Sequence, residues 1–309
     1  MTGGTSSAHK PHPMAAPVLK PQPHSELPPV APIVASAAAP VHVIEAGRAS
    51  LLSDLRELWA HRDLLYFLTL RDVKLRYKQT VLGALWAILQ PFLTMVVFTV
   101  LFGRLAKVPS DGLPYPIFAY AGLVPWQFFQ NAVNQGGNSL VGNAQLITKV
   151  YFPRMVIPGA AVLAALVDFA VASLILFAMM AFYGIAPGAG VALYPLLIAL
   201  LAAVASAAGM WMAALNVRYR DVKYVLPFTL QLGMFLTPVI YPVTFVPANW
   251  RWLLMLNPLT GIIGGFRSAL LGRPLDWVAL GVGAALTLAA LALAAWVFRR
   301  MERSFADVI

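Results

Sequence analysis

The chain contains no cysteine, which excludes disulfides, thiolate metal sites and cysteine nucleophiles. Charge is scarce: Asp, Glu, Lys and Arg together make up 11% of its 309 residues, against about 25% in an ordinary globular chain. Acid is the scarcer sign, with 12 Asp and Glu against 22 Lys and Arg, for a net charge of +10. No phosphate loop of the form Gly-x-x-x-x-Gly-Lys-Ser/Thr occurs, so a nucleotide that drives this protein is expected on a separate subunit. No acids are spaced like an aspartate-rich metal motif, and beyond residue 47 the one histidine is His61; no metal and no catalytic residues are expected in this chain. What remains is apolar: 60% of residues are hydrophobic and the mean hydropathy is +0.75. That composition excludes a soluble domain. A bilayer span needs roughly 20 apolar residues, which leaves room for about six or seven spans. In such a chain the positive charge points to basic cytoplasmic loops rather than to nucleic acid.

Three regions follow in order. Residues 1–47 hold nine prolines and nine alanines, with His9, His12, His24 and His42 irregularly spaced between them. They read as a disordered tail, not as a metal site, and Pro32 and Pro40 interrupt the apolar stretch that a signal peptide would need. Residues 48–80 carry Leu51, Leu52, Leu55, Leu58 and Trp59 at helical spacing, then Arg71, Lys74, Arg76 and Lys78. This predicts an amphipathic helix in the headgroup plane, with Arg71, Lys74 and Lys78 on one face. Residues 81–309 form the membrane domain, with spans expected at about Ala84–Gly103, Ile117–Gln135, Met155–Phe182, Val191–Leu215, Tyr224–Val243 and Trp277–Phe298. With the N-terminus inside, the cytoplasmic side collects Lys149, Arg154, Arg218, Arg220, Lys223, Arg299, Arg300 and Arg303 besides the basic helix. The outside keeps only Arg104, Lys107, Arg251, Arg267 and Arg273. Retention of Lys and Arg in the cytoplasm therefore predicts an all-α protein of six spans, N-in and C-in. Between spans five and six, Pro242, Pro247, Trp250, Trp252, Pro258 and Pro274 predict short helices that dip into the outer leaflet.

Asp168 is the sole charge between Arg154 and Arg218. An acid at mid-bilayer costs about 2.5–3.5 kcal/mol on insertion scales, so it is expected either to serve a proton or cation or to hydrogen-bond another helix. On the second span, Tyr115, Phe118, Gly122, Trp126 and Phe129 fall within about 80° of one another on a helical wheel. Tyr120, Gln127, Asn131, Asn134 and Asn138 take the opposite face. Uncharged amides suit sugar hydroxyls without tight binding, and they equally suit helix-to-helix pinning. Pro125 and the pair Gly136, Gly137 predict a kink. Two cytoplasmic connections, NAQLITKVYFPR from Asn143 and NVRYRDVK from Asn216, mix basic and apolar residues. Anchoring by positive charge accounts for the basic residues there but not for an exposed Tyr151 and Phe152, so docking of a soluble partner is the other reading.

At LTLRDVKLRYKQTVLGALWAILQP from Leu68, LITKVYFPRMVIP from Leu146, NVRYRDVKYVLP from Asn216, LTPVIYP from Leu236 and NPLTGIIGGFRSALLG from Asn257, the sequence resembles the membrane subunit of ABC-type polysaccharide exporters. These are the ABC-2 permeases of O-antigen, capsule and teichoic acid. The resemblance runs over roughly residues 50–300; the long Pro/Ala tail departs from the short-tailed members. It implies a homodimer bound to two copies of a separate ATPase, which carries ATP and Mg2+, with a channel between the two permeases. It further implies ATPase coupling through Gln145, Lys149, Tyr151, Phe152, Arg154, Arg218, Arg220 and Asp221. Contact with a lipid-pyrophosphate headgroup is implied at Arg71, Lys74, Arg76 and Lys78, and an aromatic channel lining at Tyr120, Trp126 and Phe129; the wheel's amide face would instead line it with Gln127, Asn131, Asn134 and Asn138. Whether the amide or the aromatic face of span two is inward stays open. The expected activity is export of an undecaprenyl-diphosphate-linked polysaccharide, O-antigen foremost, across the bacterial inner membrane. Another ABC-2 cargo (capsule, teichoic acid, lipo-oligosaccharide or drug) and a proton-coupled carrier using Asp168 are the alternatives.

Overall fold

The computed structural model describes residues 59–78, 85–149 and 152–308. The tail at 1–47, the start of the amphipathic segment and Tyr151 lie outside them. Among the described residues the structure is helical, without strands. Helix α1 spans Arg62–Tyr77, with Asp63 in its first turn and Lys74 and Arg76 in its last, the charge order that complements a helix dipole. It buries Leu68 against α5 and leaves Tyr66, Phe67 and Leu75 exposed. Helix α2, Leu85–Phe98, runs on as a π-helix through Thr99–Leu105. Helix α3, Tyr115–Gly142, is followed by the short α4, Ala144–Lys149, and by α5, Val156–Phe182. A 3-10 turn at Ala189–Leu193 leads into α6, Tyr194–Arg218, and then α7, Val222–Leu236. Two 3-10 turns precede α8, Arg251–Met255, and α9, Pro258–Leu270, before the long α10, Trp277–Val308.

Among the described residues, four helical stretches are long and apolar enough to cross a membrane: Leu85–Leu105, Val156–Phe182, Ala189–Arg218 and Trp277–Glu302. The chain is therefore a multi-pass membrane protein. A fifth candidate is the pair Ala248–Met255 and Pro258–Leu270, bent by 101°, at the place where the sequence predicts short dipping helices. Two of the expected spans differ from the simple picture. Helix α3 has the length, at 28 residues, but its six Gln and Asn side chains lower its hydropathy. Helix α7 has only 15 residues, about 22 Å at 1.5 Å per residue, and falls short of a hydrocarbon core about 30 Å thick.

The centre of the fold is α3, which packs on α2, α5, α6, α7 and α9. Both of its faces are covered, so neither is a plain lipid face. Its crossing with α6 is close because glycines meet there: a Cβ on Gly136 would come within 3.3 Å of the Gly209 Cα. Close backbone approach of this kind substitutes for the hydrophobic effect, which does not drive helices together in lipid. Asn216 of α6 locks the crossing by donating to the Gly137 carbonyl at 3.0 Å and to Asn138 Oδ1 at 3.1 Å.

The bent region is set by local chemistry. Asn257 caps α9, its side-chain oxygen accepting from the Leu259 amide at 3.0 Å, while its Nδ2 donates to Thr237 Oγ1 at 2.8 Å just past the end of α7. Asp276 caps α10 in the same way, accepting from the Ala279 amide at 2.9 Å. At its far end α10 returns to α5: Phe305 is buried against Phe298, and the Arg154 amide donates to Glu302 Oε1 at 3.1 Å.

Candidate functional site

The end of α1, the start of α2 and the middles of α3 and α5 line an open-mouthed cavity of about 260 Å3 with both polar and apolar walls. Its charged wall is a single connected network. Arg76 of α1 donates to Asp168 of α5 and to Gln135 of α3, and the Tyr77 hydroxyl donates to the other oxygen of Asp168. Asp168 thus has the partner that a poorly solvated acid requires, and that partner comes from α1. Burial pulls the Arg76 guanidinium below the usual arginine range, opposed by the nearby Tyr77 and Asp72. Burial likewise pushes the Tyr77 hydroxyl above its ordinary value, against the pull of Arg76. Both shifts follow from desolvation, which disfavours the charged form of each group.

The opposite wall carries Gln90 from α2 and Gln127 and Asn131 from α3, with Trp86, Phe128 and Phe169 as apolar surface. Gln127, Asn131 and Gln135 follow one another at i, i+4 and i+8, so one stripe of α3 delivers all three. The expected amide face is therefore divided. Asn134 and Asn138 turn away to α6, where Asn138 donates to Asn134 Oδ1 at 3.0 Å and accepts from Asn216; these two pin helices together. Tyr120 is fully buried, its hydroxyl donating to the Ala172 carbonyl at 3.3 Å. Trp126 donates to Gln130 Oε1 at 3.2 Å and packs where α7 carries Gly233; a Cβ there would approach its ring to 3.1 Å. Phe129 is also buried, 5.6 Å from the Trp126 ring. Of the seven channel candidates, only Gln127 and Asn131 face the cavity.

The basic residues of α1 separate in a similar way. Lys74 and Lys78 are exposed, whereas Arg71 is half-buried and paired with Asp72 at 2.8 Å. Arg76 turns inward to Asp168. In the connections, Gln145, Lys149, Arg218, Arg220 and Asp221 are exposed. Phe152 is not: it is buried with Met155 and Val156, because the chain must turn into α5 and its ring fills the corner. Arg154 is engaged within the chain, with its amide on Glu302 Oε1 and its guanidinium 5.9 Å from the Phe305 ring centre.

Two residues of structural consequence escaped the sequence reading. Gln135 was hidden at the edge of the amide wheel, although its i+4 spacing from Asn131 marks it. Arg267, assigned to an outer loop, is buried and donates to the carbonyls of Phe118, Pro238 and Val239; no counter-charge in the sequence signals such a position.

Residues 63–271 match the family described as ABC-2 type transporter. Over 259 residues the chain is 31% identical to the O-antigen export system permease protein RfbA of Myxococcus xanthus, covering 82% of this chain and 98% of that one. A protein of the same name from Klebsiella pneumoniae is 28% identical over 80% of this chain and 95% of its own. The polysialic acid transport protein KpsM of Escherichia coli is 26% identical over 77% of this chain and 93% of its own.

Proposed function

Given that the chain belongs to the ABC-2 type transporter family, we propose that it is the permease subunit of an ATP-driven exporter that moves a lipid-linked polysaccharide, O-antigen foremost, from cytoplasm to periplasm. The observation that carries this reading is a likeness spanning nearly the whole length of a protein named for O-antigen export. The chain lacks a phosphate loop, so ATP and Mg2+ belong to a separate ATPase and this subunit is not itself an enzyme. In this reading six segments cross the inner membrane, N-in and C-in: the four long apolar helices, amide-bearing α3, and α7 with the irregular residues that follow it. The bent pair α8 and α9 is then re-entrant.

Two copies form the conduit. Exposed apolar side chains on α2 (Phe92, Leu93, Val96, Val97) and on α7 (Val225, Phe228, Leu232, Phe235) supply surface for a second copy as well as for lipid. Exposed Gln145, Lys149, Arg218, Arg220 and Asp221 meet two ATPase subunits, and movement there is transmitted through α4 and α5. Lys74 and Lys78 are left to meet the diphosphate of the undecaprenyl carrier, since Arg71 and Arg76 are already paired. A capsule-type polysaccharide is the second reading, favoured by the likeness to the polysialic acid transporter.

Deleting the gene and profiling surface glycans tests both. Loss of the O-antigen ladder, restored by the gene in trans, is expected; loss of capsule alone selects the second reading. Unchanged surface polysaccharide, or transport by the purified chain with no ATPase present, overturns the proposal.

A further inference from the structure

The cavity behind Arg76 has the chemistry of a ligand site of its own, lined by residues of one copy of the chain. Its volume of about 260 Å3 lies just under the range of about 300–1,000 Å3 usual for ligand pockets, which suits one sugar ring. The carboxamides of Gln90, Gln127 and Asn131 border it without a hydrogen-bond partner among the described residues. Each amide offers both donors and an acceptor, the complement of a hydroxyl that gives and takes a hydrogen bond. Phe128 and Phe169 occupy each other, their rings 5.6 Å apart and edge to face. Trp86, 53% exposed, keeps an apolar ring surface for the C–H face of a pyranose.

Charge narrows the choice of ligand. The full charges on the wall are Arg76 and Asp168, and they neutralise each other. An incoming phosphate would meet the Asp168 carboxylate in a poorly solvated space, where like charges repel strongly. The site is polar and uncharged, and so is its ligand.

We propose that this cavity binds a single uncharged sugar residue of the cargo glycan, with its hydroxyls on Gln90, Gln127 and Asn131 and its ring on Trp86. The Arg76–Asp168 pair closes one side, so the last turn of α1 is part of the site and recognition of the sugar bears on how that helix is seated. The inference rests on the polysaccharide reading above and adds a recognition site in each copy, separate from the paired conduit.

The test uses the full chain with its ATPase partner in lipid nanodiscs, a photo-crosslinking amino acid in place of Ala87, which borders the cavity, and as control the same substitution at exposed Leu288 on α10. The probe is lipid-free, phosphate-free glycan released by mild acid from the host's own surface polysaccharide. Crosslinking is expected at position 87 and not at 288, undiminished by inorganic pyrophosphate, and lowered about tenfold by the double change Gln127→Leu and Asn131→Leu. Gln127→Met, close in volume and uncharged, should lower it as well, and an unchanged melting temperature of that variant guards against misfolding of the double variant. Absence of a crosslink at 87, while gene deletion still removes surface polysaccharide, overturns the sugar site and leaves the permease reading intact. Competition by pyrophosphate overturns it in favour of an anion site. If deletion leaves surface polysaccharide unchanged, both the reading and the site fall.

Discussion

The Arg267 guanidinium lies 3.9 Å from the centre of the Phe118 ring while its Nε donates to the Phe118 carbonyl at 3.3 Å. One side chain of α9 thereby grips α3 and, through the Pro238 carbonyl at 2.8 Å, the unwound end of α7. A buried carbonyl left without a donor costs about 1–3 kcal/mol. Arg267→Met, which keeps bulk but removes every donor, should therefore lower the melting temperature in detergent by many degrees. Arg267→Lys should recover only part, because a point charge cannot span three carbonyls as a guanidinium fork does. A Met variant that melts like the parent would show that the α7 end holds its shape unaided.

Arg76 and Asp168, with side chains 24% and 15% exposed, should behave as a pair. Asp168→Asn alone leaves an inward-facing cation poorly compensated, and Arg76→Met alone leaves the carboxylate so. The double variant should be more stable than the sum of the single losses implies, by a coupling of about 1–3 kcal/mol, measured from thermal or denaturant unfolding in detergent. Export should follow stability through this cycle and partly return in the double variant. A proton carrier would behave oppositely: Asp168→Asn would abolish transport with folding untouched, and Arg76→Met would not restore it.

Glycines on one helix separate packing from propensity. A Cβ on Gly261 would run into the Ala279 carbonyl, so α9 and α10 would have to part; Gly264 has nothing within 4 Å. Gly264→Ala should be neutral or stabilising by up to about 1 kcal/mol, the usual helix preference for alanine. Gly261→Ala should lower both yield and melting temperature. Equal behaviour of the two variants would mean that α9 and α10 do not cross as described.

How far these features were legible beforehand depends on the range of the signal. The long apolar helices α2, α5 and α6 lie within a few residues of the segments marked by hydropathy, because a local sum over about 20 residues is all that a span requires; α10 starts where expected, at Trp277, but runs ten residues past Phe298. The fifth span was expected to run to Val243, whereas α7 ends at Leu236: Pro238 and Pro242, which cannot continue a helix, stop it inside an apolar stretch that hydropathy alone carries onward. The division of the α3 amides was not legible: a wheel gives directions but not neighbours, and only packing decides that Asn138 meets Asn216 while Asn131 meets a cavity. For the same reason all four basic residues of α1 were grouped as headgroup contacts, although Arg76 lies off the face shared by Arg71, Lys74 and Lys78. Asp168 is 92 residues away from Arg76, and no local pattern joins them. Phe152 was expected outside because it stands in a basic loop, yet the corner into α5 needs an apolar plug.

The connections before α5 and after α6 give a last separable expectation. Lys149 and Arg220 are exposed, so reversing them to Glu leaves the fold unstrained and changes only what a partner meets. In the proposed complex, Lys149→Glu and Arg220→Glu should each reduce recovery of a tagged ATPase with the permease by several-fold, with melting temperature unchanged. Arg154 is the contrasting case. Its guanidinium rests near Phe305 and bonds the Glu302 carbonyl at 2.5 Å, so Arg154→Gln should loosen α10 from the start of α5 and lower stability by about 1.5–3 kcal/mol, the range for hydrogen bonds to a charged group. Its ATPase recovery should fall only as far as folded permease falls. If Arg154→Gln loses the ATPase while melting normally, and Lys149→Glu retains it, the docking surface runs through the start of α5 rather than through the exposed loop residues.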